Sequence, residues 1–295
     1  MARPQLDVVS KRCKYLRPTH RANPPTLYKA RFQRRHTGFM TSTNINKLEP
    51  LLAAALAHAA RLDSFAVSLL SSLQAHQDEG HRIFLLAQSV RSLVYFRAVC
   101  TLVESQLYEP AGAVLRVLLE QMFVLKAVRL DPSQLDVLAI QAKGESGKAL
   151  NGLLKLSSDS RPEWLTDVRI KAELEGVDKT SGFNAQHWAD KSGHKEAYDT
   201  LYRRLNVYSH SSLAALSGYL PSNDGGQFTG VRKEAERESA PQFLVDASSM
   251  MLEVINIVAS QAMSSDAKEE FALMSREQHA FHERLADILG VHDEP

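Results

Sequence analysis

A run of polar residues on one predicted helix has the components of a phosphate-binding site. Asp199, Arg203, Asn206 and His210 follow one another at steps of four, three and four residues, so a continuous helix would place them on one face. Arginine offers phosphate oxygens a planar fork of donors, and histidine can transfer a proton near neutral pH. This face could therefore bind a phosphate group and move a proton.

The same residues also fit an ordinary helix surface in contact with water. Tyr198, Leu201, Leu205 and Ser212 form a different and mostly apolar face, which would pack on the rest of the protein. Polar residues on the opposite side of such a helix usually face solvent, and a histidine near its C-terminus interacts favourably with the helix dipole when protonated. Sequence physics alone favours this second interpretation.

The arginine and histidine of this segment resemble the motif of one family of ribonucleases. Arg204 precedes His210 by five intervening residues and Arg203 by six, which matches the Arg-x4-6-His pattern of HEPN-domain ribonucleases. The pairs Arg31/His36 and Arg276/His282 satisfy the pattern equally well, so the pattern carries little weight by itself. The resemblance implies an all-α protein, usually dimeric, in which the histidine and arginine act on RNA.

A wider arrangement resembles a bacterial all-helical family of unknown function over about residues 85 to 220. Its pattern is an early Arg-x3-Glu, here Arg116 and Glu120, followed by a loop with a tryptophan, here Trp188. A Tyr-x3-Tyr-x2-Leu-Ser run then precedes a histidine by four residues, and Asn206 replaces its serine in this chain, before His210. The resemblance implies common descent and fold, without an activity to transfer.

Arg116 and Glu120 lie one turn apart on a helix that is otherwise almost entirely apolar. They could form a buried ion pair that fixes the packing. Alternatively, Arg116 could face the helix of His210 and complete a polar pocket there. An arginine placed four residues before a glutamate is the weaker local orientation for a pair, which favours a partner elsewhere. Both interpretations stay open.

Other motifs that carry chemistry are incomplete. Gly144 to Lys148 lacks the first glycine and the final Ser or Thr of a phosphate-binding loop, and no Gly-x-Ser-x-Gly elbow occurs. His279, His282 and Glu283 share a helical face near the C-terminus. Two such histidines without an evident third ligand are more often surface residues than a metal site. We therefore predict no metal site and no cofactor.

The periodicity of apolar residues predicts an all-α antiparallel bundle of about seven to eight helices. The resemblance to HEPN-domain proteins implies that this bundle is HEPN-like. The helix from Ala111 to Arg129 is apolar nearly all round, so we expect it at the centre. We predict a loop over residues 176–193, around Trp188, and a short strand over Gln227–Val231. The predicted helices span about residues 46–77, 81–106, 111–129, 133–156, 162–175, 194–208, 241–263 and 266–289.

Composition fits a single globular domain over residues 40–295. Hydrophobic residues make up 44% of the chain, which is enough for a substantial core. Two cysteines, Cys13 and Cys100, suit a reducing compartment. We find no run of 18 apolar residues, so a membrane-spanning helix is not expected. The expected location is the cytoplasm.

Residues 1–39 form a basic arm with ten Lys or Arg and one acid, Asp7. Such an arm could bind nucleic acid or act as a transit peptide. It could also be a misassigned extension upstream of a native start at Met40, after which the helical pattern begins. Its charge and lack of apolar periodicity predict disorder.

Three functions fit these observations. The first is a metal-independent, HEPN-like endoribonuclease with a defence or toxin role, which would act on RNA and could be a homodimer. The second is a non-catalytic module that binds a nucleotide or another partner, and the third is a helical scaffold. The candidate catalytic residues are His210 and Arg204, and the candidate binding residues are Arg203, Asn206, Tyr208, Arg116 and Glu120.

Overall fold

The structure, a computed structural model, is built from helices, as the sequence predicts. It describes residues 42–76, 79–175, 177, 182–209, 219, 229–230, 239–259 and 262–290, and over these residues no strand is present. The long helices are α1 (Ser42–Ser72), α2 (Gly80–Glu104), α3 (Tyr108–Leu130), α4 (Gln134–Leu154), α9 (Ala240–Ala259) and α10 (Ser265–Leu289). The shorter ones are α5 (Asp167–Leu174), α6 (Ala185–Ser192), α7 (Lys195–Ala197) and α8 (Arg203–Ser209). A 3₁₀ turn covers Ser158–Ser160, and a π-helical turn covers Tyr198–Tyr202.

Helix α3 lies at the centre of the bundle, as its apolar composition predicts. It packs against α2, α6, α8 and α9, and the side chains of Leu115, Leu118 and Phe123 are fully buried. Helix α9 is a second central helix, because every residue from Ala240 to Leu252 is buried. A helix that is apolar on all sides is stable only when neighbours cover each side.

The remaining helices are arranged around this pair. Helices α1 and α10 pack on α9 and on each other. Helices α6 and α8 cover the side of α3 where the candidate site is found. Helix α4 packs chiefly against α5 and only lightly against α3, so these two form an outlying pair.

The region around Trp188 is a helix, so the loop expected over residues 176–193 is wrong there. Helix α6 begins after Asn184, whose side chain accepts a hydrogen bond from the backbone N–H of His187 at 3.1 Å. It ends at Gly193, which has φ of 75°, a left-handed conformation that glycine adopts without strain. Trp188 is fully buried and donates from Nε1 to Gln141 at 2.9 Å. Gly193, one of the glycines that suggested a loop, is the C-cap of a short helix.

Two other boundaries differ from the prediction. Helix α5 begins at Asp167, after a capping threonine, Thr166, and not at Pro162. Of the expected strand at residues 227–231, only Thr229 and Gly230 are described, and neither is in a strand. His210 and the arm at residues 1–39 lie outside the described residues.

Gly112 on α3 allows the close approach of the helix that carries the candidate site. A Cβ atom at this position would lie 2.6 Å from Tyr208 Cδ2 and 3.2 Å from Phe243 Cζ. We expect Gly112→Ala to lower the free energy of unfolding by about 1–3 kcal/mol, because it overpacks a buried contact. Gly152→Ala on α4 is the matched control, since nothing lies within 4 Å of its Cβ. Its free energy of unfolding should rise by up to about 1 kcal/mol through helix propensity.

Urea denaturation of both variants measures the difference between these two glycines. Stabilisation by Gly112→Ala would contradict the prediction and would mean that the Tyr208 ring can move aside.

Three helical segments are long and apolar enough to cross a membrane, judged by length and composition. They are Lys47–Ser72, Gly80–Glu104 and Ala240–Ala259. In Ala240–Ala259, 83% of the most apolar window is buried against the other helices. The apolar surface of that helix is therefore used by the core.

Candidate functional site

Two helices and the π-helical turn meet at a polar cluster made of Arg116, Glu120, Tyr202 and Ser209, which we name the Arg116 cluster. Arg116 donates from Nη1 to Ser209 Oγ and from Nη2 to Tyr202 Oη, both at 2.7 Å. The Tyr202 hydroxyl donates to Glu120 Oε1 at 2.9 Å. Arg116 Nη2 lies 3.4 Å from the same carboxylate oxygen. One tyrosine hydroxyl thus connects the guanidinium and the carboxylate.

Aromatic rings extend this cluster toward the surface. The guanidinium of Arg116 lies over the ring of Tyr202, with its Cζ 4.9 Å from the ring centroid. The rings of Tyr198 and Tyr202 are stacked at 4.9 Å, and Arg203 lies over Tyr198 at 5.6 Å. Cations over aromatic faces are attracted by the ring quadrupole. The four side chains form one stack that runs from a partly buried arginine to an exposed one.

The two tyrosines of this stack lie at the ends of a π-helical turn. The sequence predicts an α-helix through His194–Tyr208, whereas the backbone from Tyr198 to Tyr202 forms a π-helical turn between α7 and α8. A π turn holds more residues than an α turn and therefore rotates the residues that follow it. Of the polar face predicted for this segment, Asp199 and Arg203 still contact each other at 3.4 Å, whereas Asn206 is half-buried.

Burial controls the electrostatics of the cluster. The side chains of Arg116 and Glu120 are 22% and 17% exposed. Burial raises the pKa of the Glu120 carboxyl, and the Tyr202 hydroxyl and Arg116 oppose that rise. Burial also raises the pKa of Tyr202. Arg116 Nε is one of several buried side-chain atoms in the described residues that have no hydrogen-bond partner, so the guanidinium retains hydrogen-bonding capacity.

Arg116 makes contacts of both kinds that the sequence left open. It is paired with Glu120 on its own helix, and it also faces α8 through Ser209. Ser209 is the residue immediately before His210 in the chain. The position of His210 itself lies outside the described residues. Arg116 is therefore held against the end of the helix that leads directly into His210.

Arg204 forms an ion pair with Asp246, which is not a member of the Arg116 cluster. Its Nη2 donates to Asp246 Oδ2 at 3.0 Å, and Gln242 Nε2 donates to Asp246 Oδ1 at 2.8 Å. Asp246 is only 5% exposed. Burial raises the pKa of its carboxyl, while Arg204 acts to lower it. Arg204 therefore anchors α8 to α9.

The other candidate binding residues have separate positions. Arg203 is 63% exposed, and its Nη2 lies 3.4 Å from Asp199 Oδ1. Tyr208 packs edge-on against Phe243 at 5.3 Å. Asn206 is half-buried on α8. Arg203 is the charged residue of these three, and its side chain is exposed.

The two histidines near the C-terminus differ in their surroundings. His279 is 67% exposed, and its Nε2 lies 3.4 Å from Glu283. His282 is half-buried, and its Nε2 lies 2.8 Å from Ser249 Oγ, so the prediction of two surface histidines is wrong for His282. No cluster of three or more His, Cys, Asp or Glu suited to a metal ion occurs in the part of the chain that the structure describes.

Sequence reasoning did not assign functional roles to Tyr202, Ser209 and Asp246. In the sequence, Tyr202 is only one position of the family pattern, and Ser209 is only the residue that precedes His210. Asp246 carries one available signal, because it is a lone acid in an apolar stretch of α9. A charged residue in such a stretch needs a buried partner.

Residues 82–228 match the model of a family described as a family of unknown function, DUF5677. This range includes Arg116, Glu120, Tyr202 and Ser209, as well as His210. Neither the curated proteins nor the solved structures contain a match to the chain. The resemblance to a family of unknown function is therefore confirmed over the segment that carries the Arg116 cluster.

Proposed function

We propose that this protein is a metal-independent endoribonuclease whose site joins the Arg116 cluster to His210. The observation that carries the proposal is the 2.7 Å contact between Arg116 Nη1 and Ser209 Oγ. It holds a partly buried guanidinium against the residue that precedes a histidine. A guanidinium and an imidazole are the two groups that metal-free cleavage of RNA uses for charge stabilisation and proton transfer.

Arg116 is suited to bind a phosphate. Its shortest contacts are with two neutral hydroxyls, of Tyr202 and Ser209, which leave its positive charge in place. Glu120 approaches it at 3.4 Å through one oxygen, and burial disfavours the charged form of that carboxyl. A guanidinium in a partly desolvated site attracts an anion more strongly than one in water.

The proposed reaction is internal transesterification of the RNA backbone. His210 accepts the proton of a ribose 2′-hydroxyl, and the 2′-oxygen forms a bond to the adjacent phosphorus. The bond from phosphorus to the 5′-oxygen then breaks, the leaving oxygen takes up a proton from water, and His210 returns its proton to the solvent. The products carry a 2′,3′-cyclic phosphate and a 5′-hydroxyl, and Arg116 stabilises the charge that develops on the phosphate oxygens.

In this proposal Arg116 takes the role that the Arg-x4-6-His pattern suggests for Arg204. The Arg204 guanidinium is bound to Asp246, so part of its charge is already compensated. Its role is to hold α8 in place. The cysteine content suits a cytoplasmic location, and a protein in the cytoplasm would have access to RNA.

Incubation of the purified full chain with labelled single-stranded RNA in EDTA tests the proposal. We expect cleavage of the RNA, cyclic phosphate termini, and no cleavage of single-stranded DNA of the same sequence, because DNA lacks the 2′-hydroxyl. An RNA with one 2′-deoxy nucleotide should resist cleavage only at that position. Intact RNA after incubation with folded protein would contradict the enzyme proposal.

A second candidate is a binding module without catalysis, which would take a nucleotide or RNA at the same site. The specific observation in its favour is that Arg116, Tyr202 and Glu120 already hydrogen-bond one another, as in a preformed recognition site. Salt-dependent binding of RNA without any cleavage would support this candidate. Loss of that binding in Arg116→Gln would locate it.

A further inference from the structure

Helices α1 and α2 leave much of their apolar surface outside the core. In each of them, 39% of the most apolar window is buried, against 83% in α9. Both helices pack on α9 and on each other, so they form one layer whose unburied sides face away from α9. Ile83, Val90 and Val94 of α2 are 43%, 51% and 57% exposed. Contiguous apolar surface that stays exposed is typical of an interaction site.

The outward side of α2 carries a regular stripe of six residues, which we name the α2 stripe. Its positions follow one another at steps of four, four, three, four and three residues, which keeps them on one side of a helix. Its members are Glu79, Ile83, Ala87, Val90, Val94 and Arg97. Glu79 immediately precedes the helix, and the end residues Glu79 and Arg97 are 37% and 50% exposed. The stripe thus has an acid at one end, a base at the other and four apolar residues between them.

The apolar part of the α2 stripe is complementary to an identical stripe that runs in the opposite direction. A two-fold axis between Ala87 and Val90 would place Ala87 of one copy opposite Val90 of the other, because both lie equally far from that axis. Ile83 would lie opposite Val94 for the same reason. Apolar side chains would therefore meet apolar side chains throughout the centre of the contact, as in the core of an interface.

The ends of the α2 stripe add charge complementarity. The same reversal brings Glu79 of one copy to the level of Arg97 of the other, because the two are almost equally far from the axis. Arg82 lies 3.6 Å from Glu79 in its own chain, and Arg97 donates to Asp63 at 2.6 Å. Each end would thus join two acids and two bases. A parallel arrangement would instead place Glu79 beside Glu79, so the charges favour the antiparallel one.

We infer that the layer of α1 and α2 is the interface of a homodimer, in which α2 packs antiparallel against α2 of a second copy. The 25 residues of α2 extend over about 38 Å, and two adjacent helices are about 20 Å wide. The layer therefore offers roughly 750 Å², close to the ~800 Å² that each partner contributes to a standard interface. On α1 the exposed residues Ala53, Ala57 and Ala60 are small, so a second copy can approach closely.

A second copy suits this layer better than a lipid bilayer or an unrelated protein. Arg91 and Arg97 are exposed on α2 before and after Val94, and a bilayer would have to accommodate their charges in hydrocarbon. At the rim of a protein interface, such long side chains reach water. A two-fold dimer uses the same surface on both subunits, and the α2 stripe is complementary to itself.

Sedimentation velocity of the full chain at micromolar concentration tests the inference. The experiment involves no RNA, and the Arg116 cluster has no residue on α1 or α2, so the outcome is separate from the ribonuclease proposal. We expect wild type to sediment as a dimer. Val90→Glu should raise the dissociation constant of the dimer at least about a hundredfold, because the two copies bring two carboxylates into the apolar centre. Val94→Glu should have a similar effect.

Val168→Glu is the matched control for these two variants. Val168 is 79% exposed and lies on α5, outside the layer, so its variant should dimerise as wild type does. Far-UV circular dichroism should be the same for all three variants, because the substituted valines are exposed. A monomeric wild type, or a dimer that Val90→Glu and Val94→Glu leave intact, would overturn the inference. Binding of wild type but not of Val90→Glu to phosphatidylcholine vesicles would also overturn it and assign the layer to a membrane.

Charge reversal at the ends of the α2 stripe tests the antiparallel orientation. Glu79→Arg brings like charges together across the interface, as does Arg97→Glu, so each should weaken the dimer by about three- to tenfold. In the double variant, two bases of one copy face two acids of the other, because Arg82 and Asp63 are unchanged. The double variant should therefore dimerise at least as tightly as wild type. A double variant weaker than both single variants would overturn the antiparallel arrangement.

Discussion

Replacing His210 with alanine is expected to slow RNA cleavage at least about a hundredfold, which is the usual contribution of a positioned proton-transfer group. The substitution removes the group proposed to accept the 2′-hydroxyl proton, and no other imidazole is proposed to act on the substrate. Single-turnover cleavage in EDTA measures the effect, because it isolates the chemical step. Binding of RNA, measured separately, should change much less than the rate.

The control for this experiment is His279→Ala. His279 is 67% exposed on α10 and has no part in the proposed site, so its rate should equal that of wild type. His282 is unsuitable as a control, because it bonds to Ser249 in the interior. A loss in His279→Ala equal to that in His210→Ala would show that the loss does not come from the chemistry of His210. A His210→Ala rate within a few fold of wild type would contradict the role assigned to His210.

Arg204→Met is expected to lower the free energy of unfolding by about 2–4 kcal/mol. Removing one partner of a buried ion pair leaves the other charge uncompensated, and here the remaining charge is the buried Asp246. The estimate is below that for a dry pair because Arg204 is 39% exposed and partly screened by water. Urea denaturation at pH 7.5 measures the loss.

The neighbouring Arg203→Met is the matched control. It removes the same charge from a side chain that is 63% exposed and paired with the exposed Asp199, so stability should change little. The loss in Arg204→Met should shrink as the pH is lowered. Without Arg204 the pKa of Asp246 rises further, so the folded protein takes up a proton there more readily than the unfolded chain. Equal stability of the two variants would show that Arg204 does not anchor α8.

This result bears directly on how activity data for Arg204 should be read. A variant that loosens α8 would lose activity even if Arg204 never touches RNA. Arg116→Lys is the more informative substitution for the chemistry. It keeps a positive charge but removes the planar fork that binds a hydroxyl pair or a phosphate.

The helical architecture follows from the sequence by itself because it depends on local spacing. Apolar residues at steps of three and four determine which segments are helices. The scarcity of polar positions on Ala111–Arg129 predicts that this helix is central, and α3 indeed packs against α2, α6, α8 and α9. These features need no knowledge of which helix contacts which. An error arose where a helix cap was interpreted as a loop residue, at Gly193.

The composition of the candidate site depends on tertiary structure. The sequence singles out Arg116 and Glu120 because charges are rare on their helix, but it does not show that Tyr202 and Ser209 are their partners. Those contacts join α3 to the π-helical turn at Tyr198–Tyr202 and to α8, where the sequence predicts one continuous helix. Arg204 adds a contact from α8 to Asp246, 42 residues farther along the chain. Periodicity defines the faces of a helix, but the packing of whole helices decides which faces meet.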